Sequence, residues 1–407
     1  MRILIIAIYL ATTAYGFLLK YLTYSWRDAP LPENVRDVFD EETYRKNRAY
    51  KMVNLRFSIF SGLITTVIEL LMLLFNFHHT LFAFISAYTS NIYAASLFIF
   101  FIPMLIVMLI TQLIGIYDVF VIEERYGFNK MTPATYIIDF VKMLLITLAI
   151  AGGLLSLFIL LDSIMGAWVF LSFFFVLVAF QLFMAFISPL LIRVFNKLTP
   201  LEDGSLKDKI EGLAKATGYK LKGIYIVDAS RRSAKLNAFA SGFGKTKTIG
   251  LFDTLLEKMT DDETVAILAH EIGHAKKRHI IKSTMLNLAT LAVALVFAYF
   301  IVAMPEVSQA FGFETANLAF SVYILFVFIA PVMLIMNIPA NALSRRFEYE
   351  ADAFEKEQAG KGVSISALKK LYKEDLGDLA PHPFVVMVEY SHPTLSQRVA
   401  AFDNDHC

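Results

Sequence analysis

His270, Glu271 and His274 stand at H-E-x-x-H spacing in the stretch His270-Glu271-Ile272-Gly273-His274. Residues four apart on an α-helix share a face, so the two histidines can grip one Zn²⁺ while Glu271 takes the proton of an attacking water. The chemistry this permits is metal-assisted hydrolysis of a peptide bond. A catalytic zinc normally takes three protein ligands and keeps one position open, so a third ligand must come from elsewhere in the chain. The best source is Ser344-Arg345-Arg346-Phe347-Glu348-Tyr349-Glu350-Ala351-Asp352. Glu348 and Asp352 are four apart and share a helical face, whereas Glu350 points away. Glu348 is therefore expected to ligate the metal, and Asp352 to hydrogen-bond the outer nitrogen of a ligand histidine, His270. A plainer reading stays open, in which the arginines and acids form solvated ion pairs on a surface helix. His279 lies nine residues beyond His270, half a rotation away on a continued helix, and is excluded as a ligand.

These side chains need elements to hold them. Thr260-Asp261-Asp262-Glu263 is a capping box with acidic residues in the first turn, and it predicts the start of the helix carrying the histidines. Residues 205–217 have amphipathic helical spacing, with Gly218 able to end the helix. Lys222 to Asp228 reads as a strand. Asn237 to Gly244 followed by Thr246 to Phe252 reads as two small-residue strands in a hairpin, whose glycines permit close backbone approach. A peptide could add itself there as an extra strand, which makes Asn237, Ala238 and Phe239 candidate substrate-binding residues. A purely structural hairpin remains the alternative.

The surroundings are a membrane. Of 407 residues 57% are hydrophobic and 18% charged, too apolar for an ordinary soluble protein. Apolar runs near 3–24, 57–77, 92–116, 134–162, 167–194, 283–304 and 318–341 are each long enough to span a bilayer, which predicts seven transmembrane helices. No small-residue cleavage site follows the first run, which reads as a retained helix and not a removed signal. Almost all of the 37 Lys and Arg fall in 25–56, 117–133, 195–282 and 342–407, and the loops 78–91, 163–166 and 305–317 contain none. The positive-inside rule puts the former segments in the cytosol and the N-terminus outside. Four parts are expected: 1–194 with five spans, 195–282 as a cytosolic zinc-protease segment, 283–341 with spans six and seven, and 342–407 as a C-terminal cytosolic segment completing the site. The single cysteine, Cys407, excludes an intrachain disulfide and a cysteine-rich metal site. A net charge of +1 points to no nucleic-acid partner. Lys276-Lys277-Arg278 reads as a cytosolic flank beside anionic headgroups. Pro103, Pro189, Pro331 and Pro339 lie in or at the ends of apolar runs, where packing alone would tolerate them.

The chain resembles the integral-membrane zinc metalloproteases that act as type I CAAX prenyl endopeptidases. The resemblance spans nearly the whole length. It rests on Glu123-Glu124-Arg125-Tyr126-Gly127-Phe128-Asn129, on Asn237-Ala238-Phe239 leading to Leu251-Phe252-Asp253-Thr254-Leu255-Leu256, on the H-E-x-x-H, on Ser344 through Asp352, and on Ser391-His392-Pro393. It implies one Zn²⁺ per chain held by His270, His274 and Glu348, with Glu271 as general base and acid. It also implies that His392 and Arg398 contact substrate near the C-terminus, His392 donating to a developing oxyanion. The implied fold is mainly α: a polytopic membrane protein whose seven long helices form a barrel around a chamber, closed at its cytosolic end by a zincin-like α+β domain. The implied substrate ends in a prenylated cysteine followed by three residues, removed together, and a lipid-bearing substrate suits a bilayer setting. The membrane would be that of the endoplasmic reticulum in a eukaryote and the cytoplasmic membrane in a bacterium.

Two rival readings follow from the same residues. One is a metalloprotease that removes faulty membrane proteins. The other is a seven-helix receptor or transporter without catalysis, for which Glu69, Asp139, Lys142 and Asp162 would be the intramembrane ionisable groups. Nothing in the sequence sets an oligomeric state.

Overall fold

Long helices dominate because apolar runs in lipid must satisfy their own backbone. The computed structural model describes residues 1–241 and 247–403, apart from the side chains at 92, 167, 185, 186, 188, 189 and 241. Cys407 and the tip of the expected hairpin, 242–246, lie outside the described residues.

The N-terminal part is α1 (Arg2–Ser25), α2 (Glu41–Leu74), α3 (Phe77–Ser86), α4 (Ile92–Tyr117), α5 (Glu124–Tyr126), α6 (Pro133–Met165) and α7 (Val169–Phe195). A π-helical turn, Asp118–Glu123, carries α4 into α5. Local caps set the starts. Asp40 accepts from Thr43 N at 2.7 Å before α2, Asn91 accepts from Tyr93 N at 2.9 Å before α4, and Thr132 precedes Pro133 at the first position of α6.

The chain then forms β1 (Leu198–Pro200), α8 (Ser205–Ala216), β2 (Leu221–Val227), β3 (Ala238–Ser241), β4 (Lys247–Phe252), α9 (Asp253–Lys258) and α10 (Asp261–Lys276). Two membrane helices follow, α11 (His279–Val302) and α13 (Leu318–Ala359), joined through the short α12 (Pro305–Gln309). The C-terminal part is α14 (Lys361–Glu374), α15 (Pro383–Glu389) and α16 (Leu395–Asp403).

Among the described residues six helices are long and apolar enough to cross a membrane: α1, α2, α4 with its continuation, α6, α11 and α13. The fifth apolar run, counted as a span from sequence, does form α7, but its described apolar part, Val169–Met184, falls short of that length. Two helices outrun their apolar cores. α2 starts 16 residues before the run at 57, and the 42-residue α13 continues past 341 through Glu348 and Asp352. The loop expected at 78–91 holds α3.

The sheet is small and mixed, in the order β1-β2-β4-β3. β2 and β4 are parallel, β1 and β3 antiparallel to their neighbours, and Ala238 pairs with Leu251 and Phe239 with Gly250. That leaves β3 as an edge strand among the described residues. Beneath the sheet α8 and α10 bury Ile210, Ile249, Leu251, Leu255, Leu268 and Ile272 completely, each stabilising by about 1.5–3 kcal/mol. A second core joins the segment after α1 to the C-terminal helices: Val35, Val38 and Phe39 pack with Phe128, Leu368, Leu395 and Phe402. At the far ends of the membrane helices, Val307, Phe311 and Phe313 wedge between Ile5, Leu73 and Phe320.

Candidate metal centre

Helix α10 begins as its sequence requires. Thr260 Oγ1 accepts from Glu263 N at 3.3 Å, and the Glu263 carboxylate accepts from Thr260 N at 2.9 Å. This fixes the register in which His270 and His274 project together, their Nε2 atoms 3.0 Å apart. Gly273 lets α13 approach: a Cβ there would lie 3.2 Å from the Ala351 Cα and 3.3 Å from its carbonyl oxygen. That close crossing delivers Glu348, whose Oε2 lies 3.3 Å from His270 Nε2 and whose Oε1 lies 3.3 Å from His274 Nε2.

The geometry fits a metal. Ligand atoms about 2.1 Å from a tetrahedral Zn²⁺ stand about 3.3–3.4 Å from one another. The three side chains sit close to that spacing, and Glu348 Oε2 is buried without a hydrogen-bond donor. A buried carboxylate oxygen facing two imidazole nitrogens calls for a cation between them. Among the described residues His270, Asp352 and Glu355 also converge, but Asp352 is already claimed by an arginine.

Each histidine is held from behind. His270 Nδ1 lies 3.0 Å from Asp352 Oδ1, and the buried Glu355 Oε2 is 3.6 Å from the same nitrogen. Arg398 grips Asp352 through two hydrogen bonds, from Nε at 2.9 Å and Nη2 at 2.5 Å. Burial pulls the guanidinium's pKa down, but Asp352, Glu348 and Glu355 more than reverse that, so it stays charged. The sequence reading put Arg398 against substrate; the structure seats it behind His270, although it still lines the cavity beside the metal centre.

His274 has a partner that the helical-wheel argument missed. α10 ends at Lys276, Arg278 takes a left-handed φ of +58°, and His279 opens α11 facing back. His274 Nδ1 then lies 3.0 Å from His279 Nδ1, and His279 Nε2 lies 3.1 Å from Glu350 Oε2. Among the described residues His279 is not part of the His270, His274 and Glu348 cluster, and it faces His274 because the helix ends before it. Glu350 points away from the centre, as expected, and finds His279. The run of basic residues at 276–278 was the available signal for the helix end.

Glu271 projects between two cavities. One, of about 360 Å³, is lined by Asn237, Ala238, Leu255, Leu371, Tyr372 and Arg398. The other, of about 660 Å³, is lined by Ala240, His274, His279, Ile280, Thr284 and Phe347 and runs along the base of α11. Burial pushes the Glu271 carboxyl above the usual carboxylate range. Tyr219, on the second cavity, is pushed up to about 12 by burial and the neighbouring Glu271 charge.

His392 is exposed in the loop before α16, its Nε2 3.4 Å from Glu348 Oε1 and its Nδ1 2.9 Å from Ser391 Oγ. Arg345 donates to the carbonyls of Val386, Tyr390 and Met387 at 3.1, 2.6 and 3.3 Å, so it caps α15 and supports that loop; Arg346 makes the exposed ion pair, with Glu350. Asn237 and Ala238 reach the first cavity, whereas the Phe239 ring lies over Gly250, where a Cβ would be 2.3 Å from its Cζ.

Comparison with known proteins agrees along the whole chain. Residues 20–197 match the family described as CAAX prenyl protease N-terminal, five membrane helices, and residues 200–405 match Peptidase family M48. The CAAX prenyl protease 1 of Saccharomyces cerevisiae is 32% identical, over 94% of this chain and 92% of that protein. The CAAX prenyl protease 1 homolog of Homo sapiens is 30% identical, over 91% and 88%. A crystal structure of S. mikatae Ste24p superposes with a TM-score of 0.94 at 29% identity, covering 99% of each chain. With a His/Glu cluster suited to a metal ion and several candidate membrane spans, this leaves no place for a receptor or transporter without catalysis. The chain belongs to the CAAX prenyl protease 1 family, multi-pass membrane metallopeptidases of peptidase family M48.

Proposed function

We propose that the protein is a zinc endopeptidase that removes the last three residues of prenylated C-a-a-X peptides or proteins. One observation carries this most directly: Glu271 stands beside the His270, His274 and Glu348 cluster, between an apolar cavity inside the cytosolic part and a larger cavity that follows a membrane helix.

Zn²⁺ would supply Lewis acidity at a centre ligated by His270, His274 and Glu348. Asp352 fixes the His270 tautomer by accepting from Nδ1, and His279, itself held by Glu350, orients the His274 ring. Glu271, with its pKa raised, takes a proton from the attacking water and returns it to the leaving amine. His392 reaches the same space and donates to the developing oxyanion.

The edge strand β3 orients the substrate. A peptide pairing antiparallel to it places its C-terminal residues toward Asn237 and the 360 Å³ cavity, and its N-terminal side toward Ala240 and the 660 Å³ cavity along α11. The prenyl chain then points at the bilayer side; parallel addition would drive it into the soluble domain. In this reading seven helices, α7 included, enclose a chamber, 195–282 and 342–407 build the site on the cytosolic side, and the N-terminus lies outside.

The test offers the purified protein farnesylated and unprenylated versions of one C-a-a-X peptide while zinc content is measured. Release of the tripeptide from the farnesylated form alone is expected. Equal cleavage of both forms would replace this reading with a general membrane-protein quality-control protease.

A further inference from the structure

The stretch Glu123 to Asn129 takes no part in the chemistry above, yet it docks on the segment that leads into β3. Phe128 N and Asn129 N both donate to Glu123 O, at 2.8 and 3.2 Å, and Gly127 makes that reversal with φ +86°, a conformation that favours glycine. The turned chain then pairs with 232–234: Ala234 N donates to Phe128 O at 3.0 Å, Lys130 N donates to Arg232 O at 3.2 Å, and Asn129 bridges Ser233.

Side chains complete the grip. Lys235 Nζ donates to Tyr50 Oη at 3.0 Å, pairs with Glu123 Oε2 at 3.1 Å and lies 4.9 Å from the centre of the Phe128 ring. Tyr50 Oη donates to the other Glu123 oxygen. Three residues earlier, Arg232 makes two hydrogen bonds to Asp139, at 2.7 and 3.1 Å, and one to Asn196 at 3.2 Å. Tyr50 belongs to α2, Glu123 to the π-helical turn that continues α4 and Asp139 to α6, so three membrane spans hold residues 232–235. Asn237 at the cavity is two residues further on, and between them Leu236 N donates to Asp375 Oδ1 at 3.0 Å.

We propose that Lys235, with Glu123 and Tyr50, is a positioning device: it ties the edge strand that receives the peptide to the membrane helices, while the metal centre is held separately by α10 and α13. The inference rests on the protease reading. A half-exposed ion pair contributes little to stability, so a purely structural role would show in neither binding nor rate. A placement role would show in KM, since a strand that pairs with the peptide binds its ground state and its transition state alike.

The experiment compares wild type, Lys235→Met, Glu123→Gln and Lys235→Arg on a farnesylated C-a-a-X peptide, with acetohydroxamate as a metal-directed inhibitor too short to reach β3. In the first two variants KM should rise by about tenfold, as expected when about one strand-pairing hydrogen bond to the peptide is lost, with zinc content, thermal midpoint and hydroxamate inhibition unchanged. Lys235→Arg should recover most of the loss. Unchanged KM in both variants overturns the inference alone, as does a KM change that tracks hydroxamate inhibition and the thermal midpoint. A wild-type chain that does not cleave the peptide overturns the protease reading and this inference with it.

Discussion

Asp352 accepts two hydrogen bonds from Arg398 while its Oδ1 also faces His270 Nδ1 at 3.0 Å, so one carboxylate joins α16 to the metal helix. The arrangement is buried, and a carboxylate stripped of its arginine there is left as an uncompensated charge. Arg398→Ala should cost about 3–5 kcal/mol and weaken metal retention, and Arg398→Lys should rescue poorly because it lacks the planar fork. Thermal unfolding and chelator competition measure both. If Arg398 served substrate alone, neither would change.

Glu271→Gln keeps the shape and loses the base. Metal content and unfolding should match wild type while turnover falls by about 10²–10⁴-fold. Full activity in that variant would sink the assigned role.

Glu348→Ala removes the only buried carboxylate between the two Nε2 atoms among the described residues and should abolish stoichiometric zinc. Asp352→Asn should be milder, weakening zinc about 10–100-fold, because it changes how His270 is held and leaves the ligand itself in place. Metal analysis under graded chelator separates the two. Equal effects would mean that Asp352 is itself a ligand.

Glu263 links the start of α10 to α14, accepting from Thr260 N, Ser366 Oγ and Lys370 Nζ. Burial lifts its pKa, but these donors outweigh burial and hold the carboxyl below its usual range. A depressed folded pKa gives stability that is present above the unfolded value of about 4.3 and is lost as pH falls through the folded value. Glu263→Gln should therefore lower stability by about 1 kcal/mol at pH 7 and flatten its decline below pH ~4. An unaltered acid limb in thermal melts would contradict this.

Gly273→Ala tests the α10 to α13 crossing. The new methyl would meet the Ala351 backbone at 3.2–3.3 Å, and backbone yields less readily than a side chain. A loss of about 1–3 kcal/mol is expected, with weaker zinc binding as Glu348 is pushed outward. A neutral melt would show that the helices part freely.

Much of the centre was legible because its signals are local or periodic. The capping box from Thr260 to Glu263 marks the start of α10 without reference to anything distant, and four-residue spacing puts Glu348 with Asp352 on whatever helix bears them. What failed was periodicity carried past a boundary. His279 is half a rotation from His270 only if the helix continues, and a left-handed Arg278 at its end has no glycine or proline to announce it. Arg398 shows a different limit: a motif can name a residue near the site, but that Asp352 also claims it depends on how α16 packs beside α13. Likewise, hydropathy found the apolar cores of α2 and α13 but not their polar extensions, since apolar content marks what lies in lipid and not where a helix stops.

Those extensions matter most in α13. At 1.5 Å per residue its 42 residues form a rod about 63 Å long, roughly twice the thickness of a bilayer's hydrocarbon core. Glu348 rides about 27 Å beyond the middle of the apolar stretch, where a tilt of only about 2° moves it by about 1 Å. Where lipids of different chain length change helix tilt, acyl composition would therefore act on the position of Glu348 in the candidate metal centre.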